Sequence, residues 1–401
     1  GPPARFGPTT TQGLESVNEK FVLGLLPWHE GDRFDAELLA RLQKSLVETR
    51  LFSLVQIRPA ESLDKDGRLP ISIQLKERAQ RSVSAGVTYH TDEGLGAKFS
   101  WEHRNLFHGG EQLKIQVGAS GFGYSGEGLF KKPQFLRNDQ TLSLPARLAK
   151  DDTNAFVSNN LDTALLVERE IHKGLHVGLG PGFRASQVEL EADPLKVKKE
   201  FTLVSFRAFL NWDSTDNALD PTRGNRFEVN LTPYMDTMDT NLGFFKGRAD
   251  YRHYSMISES PYLLFAGRAA FGSILGAGRD SIPADLRYYA GGGGSIRGYA
   301  FQMAGPLVGE DPIGGASMLE MSAELRTKVT EKIGFVVFMD GGGAFESALP
   351  DLDTPLRWGG GVGARYYTPI GPLRLDFAVP LNRRDGVDDP FQVYVSIGQA
   401  F

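Results

Sequence analysis

The chain has 401 residues, with 44 Lys and Arg against 49 Asp and Glu, a net charge of −5 and a pI of about 5.9. No basic run stands out, which argues against a nucleic-acid partner. The chain has no cysteine, which excludes disulfides, thiolate nucleophiles and thiolate metal sites. No stretch reaches the ~18 apolar residues of a transmembrane helix, a test that the alternating strands of a transmembrane barrel also fail. The opening Gly1-Pro2, with no initiator methionine, reads as a mature or trimmed chain.

Residues 1–78 read as a small α+β domain. A helical patch covers Val17 to Leu26. Phe34, Leu38, Leu42 and Leu46 recur every four residues, with Asp32 as the expected N-cap. A strand follows from Leu51 to Pro59, then a turn at Asp64–Gly67. Leu69, Ile71, Ile73 and Leu75 alternate in the next strand. The expected order is strand, helix, helix, strand, strand.

From residue 81 onward no amphipathic helix appears. Segments of about ten residues alternate apolar and polar positions between Gly, Asp, Asn and Pro turns, roughly sixteen times over. The first, Arg81 to His90, is rich in small residues: Ser82, Ser84, Ala85 and Gly86. His172 and His176 fall on separate strands of one hairpin and do not form a zinc pair. Asp213, Asp216 and Asp220 lack the EF-hand spacing and read as a tight turn before Pro221-Thr222-Arg223-Gly224. Lys246, Arg248, Asp250 and Arg252 share one strand face.

Four consecutive glycines, Gly291 to Gly294, lead into Ser295-Ile296-Arg297-Gly298-Tyr299. A phosphate-cradling loop would continue with Lys-Ser/Thr and a helix, and this one does not. A mobile surface loop is one reading. The other is a loop folded into a barrel lumen, with its permanently charged arginine paired there. Candidate anions follow on the next strands. In Ser317 to Val329, Leu319, Met321, Ala323 and Leu325 oppose Glu320, Ser322, Glu324 and Arg326. In the strand ending Phe338-Met339-Asp340-Gly341, Asp340 opposes Ile333, Phe335, Val337 and Met339. If the apolar sets face lipid, Glu324 and Asp340 face inward, where an arginine forked between them forms charge-assisted bonds. A competing reading makes Asp340 the start of a Gly-rich turn. Leu373, Leu375, Phe377 and Val379 alternate with Arg374 and Asp376. The chain ends in a strand whose Phe391, Val393, Val395, Ile397 and Phe401 share a face. The alternation and terminal aromatic predict a mainly β protein: a 16-stranded antiparallel transmembrane barrel over residues 79–401, behind one small α+β domain. No Gly-x-Ser-x-Gly elbow and no His-x-x-x-His pair of the zinc-protease type is present, so no enzyme, catalytic residue, cofactor or metal is expected.

Ser295-Ile296-Arg297-Gly298-Tyr299 and Phe338-Met339-Asp340-Gly341 resemble the inward-loop and strand motifs of the BamA-like superfamily of outer-membrane assembly factors and two-partner secretion translocators. Residues 1–78 resemble a polypeptide-transport-associated (POTRA) domain. Asp285–Gly291 and Thr368–Pro380 resemble the TamA branch in particular. That branch typically carries three such domains where this chain has room for one. The resemblance implies an outer-membrane location with the POTRA domain in the periplasm. It implies a loop around 276–315 latched by Arg297, Gly298, Tyr299, Glu324 and Asp340, and no ligand bound by the loop itself. Its implied partners are the lipid bilayer, unfolded outer-membrane clients such as autotransporters, and a TamB-like inner-membrane partner.

Closure of such a barrel pairs the first strand with the last. Val83, Ala85 and Val87 on one side and Val393, Val395, Gly398 and Phe401 on the other form the expected seam. With so many small residues, few large cross-strand pairs hold it. The seam could open and offer its edge to a client strand, or it could be ordinary, with clients entering through a thinned bilayer. A polypeptide translocator is the alternative function. A passive porin would leave the POTRA-like domain and the loop motif unexplained.

Overall fold

The computed structural model describes residues 4–90, 94–238, 242–351, 353–369 and 371–397. Two compact units are present. The first takes the chain up to Ser84 together with Ser100–Gln116 and Gly128–Pro145; the second takes Ala85–Phe99, Val117–Glu127 and the chain from Ala146.

The first unit opens with β1 (Arg5–Gln12), α1 (Glu19–Leu23), α2 (Ala36–Glu48), β2 (Phe52–Pro59) and β3 (Arg68–Glu77). The sheet order is β1-β3-β2, with β1 parallel and β2 antiparallel to the central β3. Parallel neighbours need a crossover, which the two helices supply. Leu42 and Leu46 of α2 pack with Phe6, Val22, Ile71 and Ile73, all buried. The helix begins later than the sequence suggests. Its N-cap is Asp35, with extended backbone and a side chain accepting from the Glu37 amide. Asp32 instead accepts from the His29 amide in the preceding turn. Two aspartates three residues apart both satisfy the capping rule, and the backbone decides between them.

The Glu77 carboxylate, at the end of β3, collects the amides of Glu15, Ser16 and Val17 at 2.9, 2.9 and 2.8 Å and the Ser16 hydroxyl at 2.5 Å. Turn segments of the same unit close on α1. The His108 carbonyl accepts from Asn18 at 2.7 Å, and Gln134 Nε2 donates to the Phe21 carbonyl at 2.9 Å.

The remaining strands form one large sheet. Strands β4 to β8 are Arg81–His90, Gly94–His103, Gln112–Ser120, Gly123–Pro133 and Gln140–Asp152. β9 (Phe156–Ala164) and β10 (Leu166–His172) are a single run broken at Leu165, and both pair with β11 (Leu175–Leu190). Strands β12 to β15 are Lys198–Asp213, Gly224–Asp236, Gly243–Glu259 and Tyr262–Leu275. A long connection follows, carrying the two-residue strands β16 (Leu307–Val308) and β17 (Asp311–Pro312). Strands β18 to β22 are Ser317–Lys328, Ile333–Phe345, Arg357–Thr368, Gly371–Pro380 and Gln392–Ile397. Neighbours in sequence pair antiparallel, and β22 pairs back onto β4. With β9 and β10 counted as one, this is a closed 16-strand antiparallel barrel.

The burial pattern inverts that of a soluble protein. Along β19, Ile333, Phe335, Val337 and Met339 are exposed while Asp340 is fully buried. Along β18, Met321 and Leu325 are exposed while Glu320, Glu324 and Arg326 are buried. An outward apolar face with charges turned inward suits a barrel solvated by lipid. The aspartates between β12 and β13 form the expected turn: Asp216 accepts from the Thr222 amide at 2.9 Å and the Arg223 amide at 3.2 Å.

Candidate functional site

Between β15 and β18 the chain turns inward. Ala290, Ile296, Arg297 and Tyr299 are buried. The loop lies directly on strand backbone. Gly298 sits at a φ of 100°, and a Cβ there would stand 2.8 Å from the Val379 carbonyl carbon. Glycine is required on both counts.

Arg297 is 2% exposed, and its guanidinium donates four hydrogen bonds to carboxylates. Its Nε donates to Asp340 Oδ2 at 2.6 Å and its Nη2 to Asp340 Oδ1 at 2.8 Å. Nη1 donates to Glu324 Oε1 at 2.6 Å and to Asp376 Oδ2 at 3.1 Å. Its backbone amide also donates to Asp340 Oδ2, at 3.1 Å. The guanidinium lies 3.4 Å from the centroid of the Phe338 ring, a cation–π contact in a desolvated place. Neighbouring arginines hold the carboxylates in turn. Arg326 Nε donates to Glu324 at 2.8 Å, Arg374 Nε donates to Asp376 at 2.6 Å, and Arg365 also pairs with Asp376. Ser322 donates its hydroxyl to Asp340.

The structure thus brings Arg297, Glu324 and Asp340 together. Sequence reasoning missed Asp376, Arg326 and Arg365 as members. The inward alternation of Asp376 on β21 was the available signal. The loop has other ties. Arg374 Nη2 donates to the Gly293 carbonyl at 3.0 Å, and the Tyr299 hydroxyl donates to Asn382 Oδ1 at 2.7 Å. Ser295 donates its hydroxyl to Glu320, which Arg268 bridges to Asp250. These are positional contacts, fixed donors on fixed acceptors.

At the seam, Tyr394 pairs with His90 and Val395 with Tyr89. Those are the β22–β4 pairs among the described residues, whereas β14 and β15 share fourteen. Val83 and Val87 are exposed, as is Ala85, and Val393 is half-buried opposite Phe377. Val395 faces Tyr89, a register that alternation alone does not set. Gly398 and Phe401 lie outside the described residues.

A family model for the Omp85 superfamily domain matches residues 105–401. The chain belongs to the Omp85 superfamily. It is similar to the outer membrane protein assembly factor BamA of Nitratidesulfovibrio vulgaris, at 26% identity over 97% of this chain and 50% of that protein. The BamA of Neisseria meningitidis serogroup B is 21% identical over 93% of this chain and 54% of its own length. The chain thus spans about half the length of these two relatives. Among solved structures, BamA from Haemophilus ducreyi lacking POTRA domains 1–3 matches with a TM-score of 0.82 at 17% identity, over 98% of this chain and 84% of that one. CdiB from Acinetobacter baumannii matches at 0.69 and 14% identity, over 98% of this chain and 74% of that one. At such identities the shared property is the fold. An Omp85 barrel with an outward apolar face belongs in an outer membrane.

Proposed function

We propose that this Omp85 member helps other β-barrel proteins enter the outer membrane, without nucleotide, through the seam between β4 and β22. The observation that carries this reading is the seam itself, joined by two residue pairs among the described residues. In lipid an unpaired strand edge is costly, so an opened seam seeks a partner strand. A client strand can supply it by adding to the edge. Entry through a thinned bilayer, with the seam shut, is the competing mechanism.

In this reading the α+β unit is a POTRA domain on the periplasmic side. Its sheet order β1-β3-β2, with two helices as the crossover, supports that assignment. The narrower form places the chain in the TamA branch, with autotransporter clients and a TamB-like partner; it rests on Asp285–Gly291 and Thr368–Pro380 alone. Polypeptide translocation is the second reading, and a lumen crossed by a latched loop speaks for assembly over passage. Proteoliposomes containing this chain are expected to speed the insertion of an unfolded outer-membrane barrel with no nucleotide added. Insertion no faster than into empty liposomes contradicts the proposal.

A further inference from the structure

The inward loop touches both sides of the seam. On the last-strand side, Tyr394 of β22 is fully buried. Its hydroxyl accepts from the Gly298 amide at 3.2 Å and donates to the Tyr299 carbonyl at 3.3 Å. Its ring covers Gly293, where a Cβ would stand 2.8 Å from Tyr394 Cδ1. Tyr394 is also the residue that pairs with His90 of β4.

On the first-strand side, Phe301 of the same loop stacks on Phe122, in the turn between β6 and β7, with ring centroids 4.8 Å apart and planes at 25°. The next residue, Gln302, is held at a φ of 67°. Non-glycine residues rarely adopt that conformation without a surrounding structure that enforces it. Gln302 is buried, and its Oε1 has no hydrogen-bond partner among the described residues. Phe301, Gln302 and Phe122 border a cavity of about 730 Å³, whose wall includes Gly86, Gly96 and Ile397. Inside the first strands, therefore, small side chains and open space meet the loop, and the Phe301–Phe122 stack is the aromatic contact that reaches across.

We infer that the loop is a clasp across the seam, with Tyr394 and Phe301 as its two positioning residues. Among the described residues two strand pairs join the seam, and these contacts add to what keeps β22 beside β4. The two hydrogen bonds at one hydroxyl and the aromatic stack are each comparable to a strand pair in strength. The seam parts only when the loop releases one end. The purpose of the clasp rests on the assembly reading; its geometry does not.

The test uses the full chain in lipid nanodiscs with no client present. The absence of native cysteine lets spin labels be placed singly. One labelled pair, Leu95→Cys with Leu375→Cys, lies across the seam on exposed positions of β5 and β21. A control pair, Val204→Cys with Phe271→Cys, lies away from it on β12 and β15. Tyr394→Phe removes only the hydroxyl, and Phe301→Ala removes the stack. Each is expected to raise the long-distance population across the seam roughly five- to thirty-fold, with the control pair unchanged. Unchanged seam distances in both variants overturn the clasp, as does equal broadening of the control pair, which would mean general loosening. If seam distances lengthen but the wild-type chain inserts no client, the assembly reading falls and the clasp stands.

Discussion

Arg297 and Asp340 form a fork closed by the backbone: Nε to Oδ2 at 2.6 Å, Nη2 to Oδ1 at 2.8 Å, and the Arg297 amide to Oδ2 at 3.1 Å. Both side chains are almost fully buried. Removing one member of such a set leaves the other charge uncompensated.

Arg297→Ala is therefore expected to destabilise the latched state by about 3–5 kcal/mol. Arg297→Lys should recover little, because an ammonium cannot fork across two carboxylate oxygens. Asp340→Asn keeps the shape and loses the charge, at a smaller cost of about 1–3 kcal/mol. Limited proteolysis of the folded barrel reads all three. Cleavage between residues 276 and 316 should be weakest in Asp340→Asn, stronger in Arg297→Lys and strongest in Arg297→Ala. A wild-type digestion pattern in Arg297→Ala would mean that the fork does not hold the loop.

The glycines separate by what surrounds them. A Cβ at Gly359 would stand 1.8 Å from the Arg297 carbonyl oxygen, whereas one at Gly294 would meet nothing within 4 Å. Gly359→Ala should displace the loop and raise its cleavage. Gly294→Ala should leave the pattern unchanged, although it alters the run that makes the sequence conspicuous. The reverse ranking would count against the loop position described.

Glu77 predicts a pH dependence in the first unit. Burial raises its pKa, but the Ser16 hydroxyl and the amides of Val17, Glu15 and Ser16 outweigh that and lower it from 4.5 to about 2. A depressed carboxylate contributes stability that is present above its unfolded pKa and lost as pH falls through the folded one. Opening of the 14–18 turn, followed by pepsin cleavage, should therefore grow between pH 4.5 and about 2. Glu77→Gln should cleave readily across that range with little pH dependence from this site. A wild-type profile in that variant would show that the carboxylate is not what secures the turn.

Much of this was legible in the sequence because alternation is local. Ile333, Phe335, Val337 and Met339 against Asp340 give the two faces of β19 without knowledge of any partner strand. The same rule turns Glu324 inward. Asp376 is on the correct face too, but its meeting with Arg297 depends on barrel curvature bringing together residues 79 apart in sequence. Tyr394 carried no signal beyond an aromatic in a final strand, since its hydroxyl partners are loop backbone atoms. The seam register was hidden for a related reason. Hairpin registers follow from short turns, whereas β22 and β4 are joined by closure of the whole barrel. The N-cap at Asp35 shows the opposite failure, a local rule with two valid answers.

The most direct test locks the seam at the pair the structure brings face to face. Tyr89→Cys with Val395→Cys introduces the chain's two cysteines at opposed positions of β4 and β22, within the Cα spacing of a directly paired strand position that a disulfide can bridge. Client insertion by this variant in proteoliposomes is measured oxidised and then reduced. Opening of the seam predicts loss of insertion when oxidised and recovery with reductant. Equal insertion in the fully cross-linked state would contradict it and leave membrane thinning as the route.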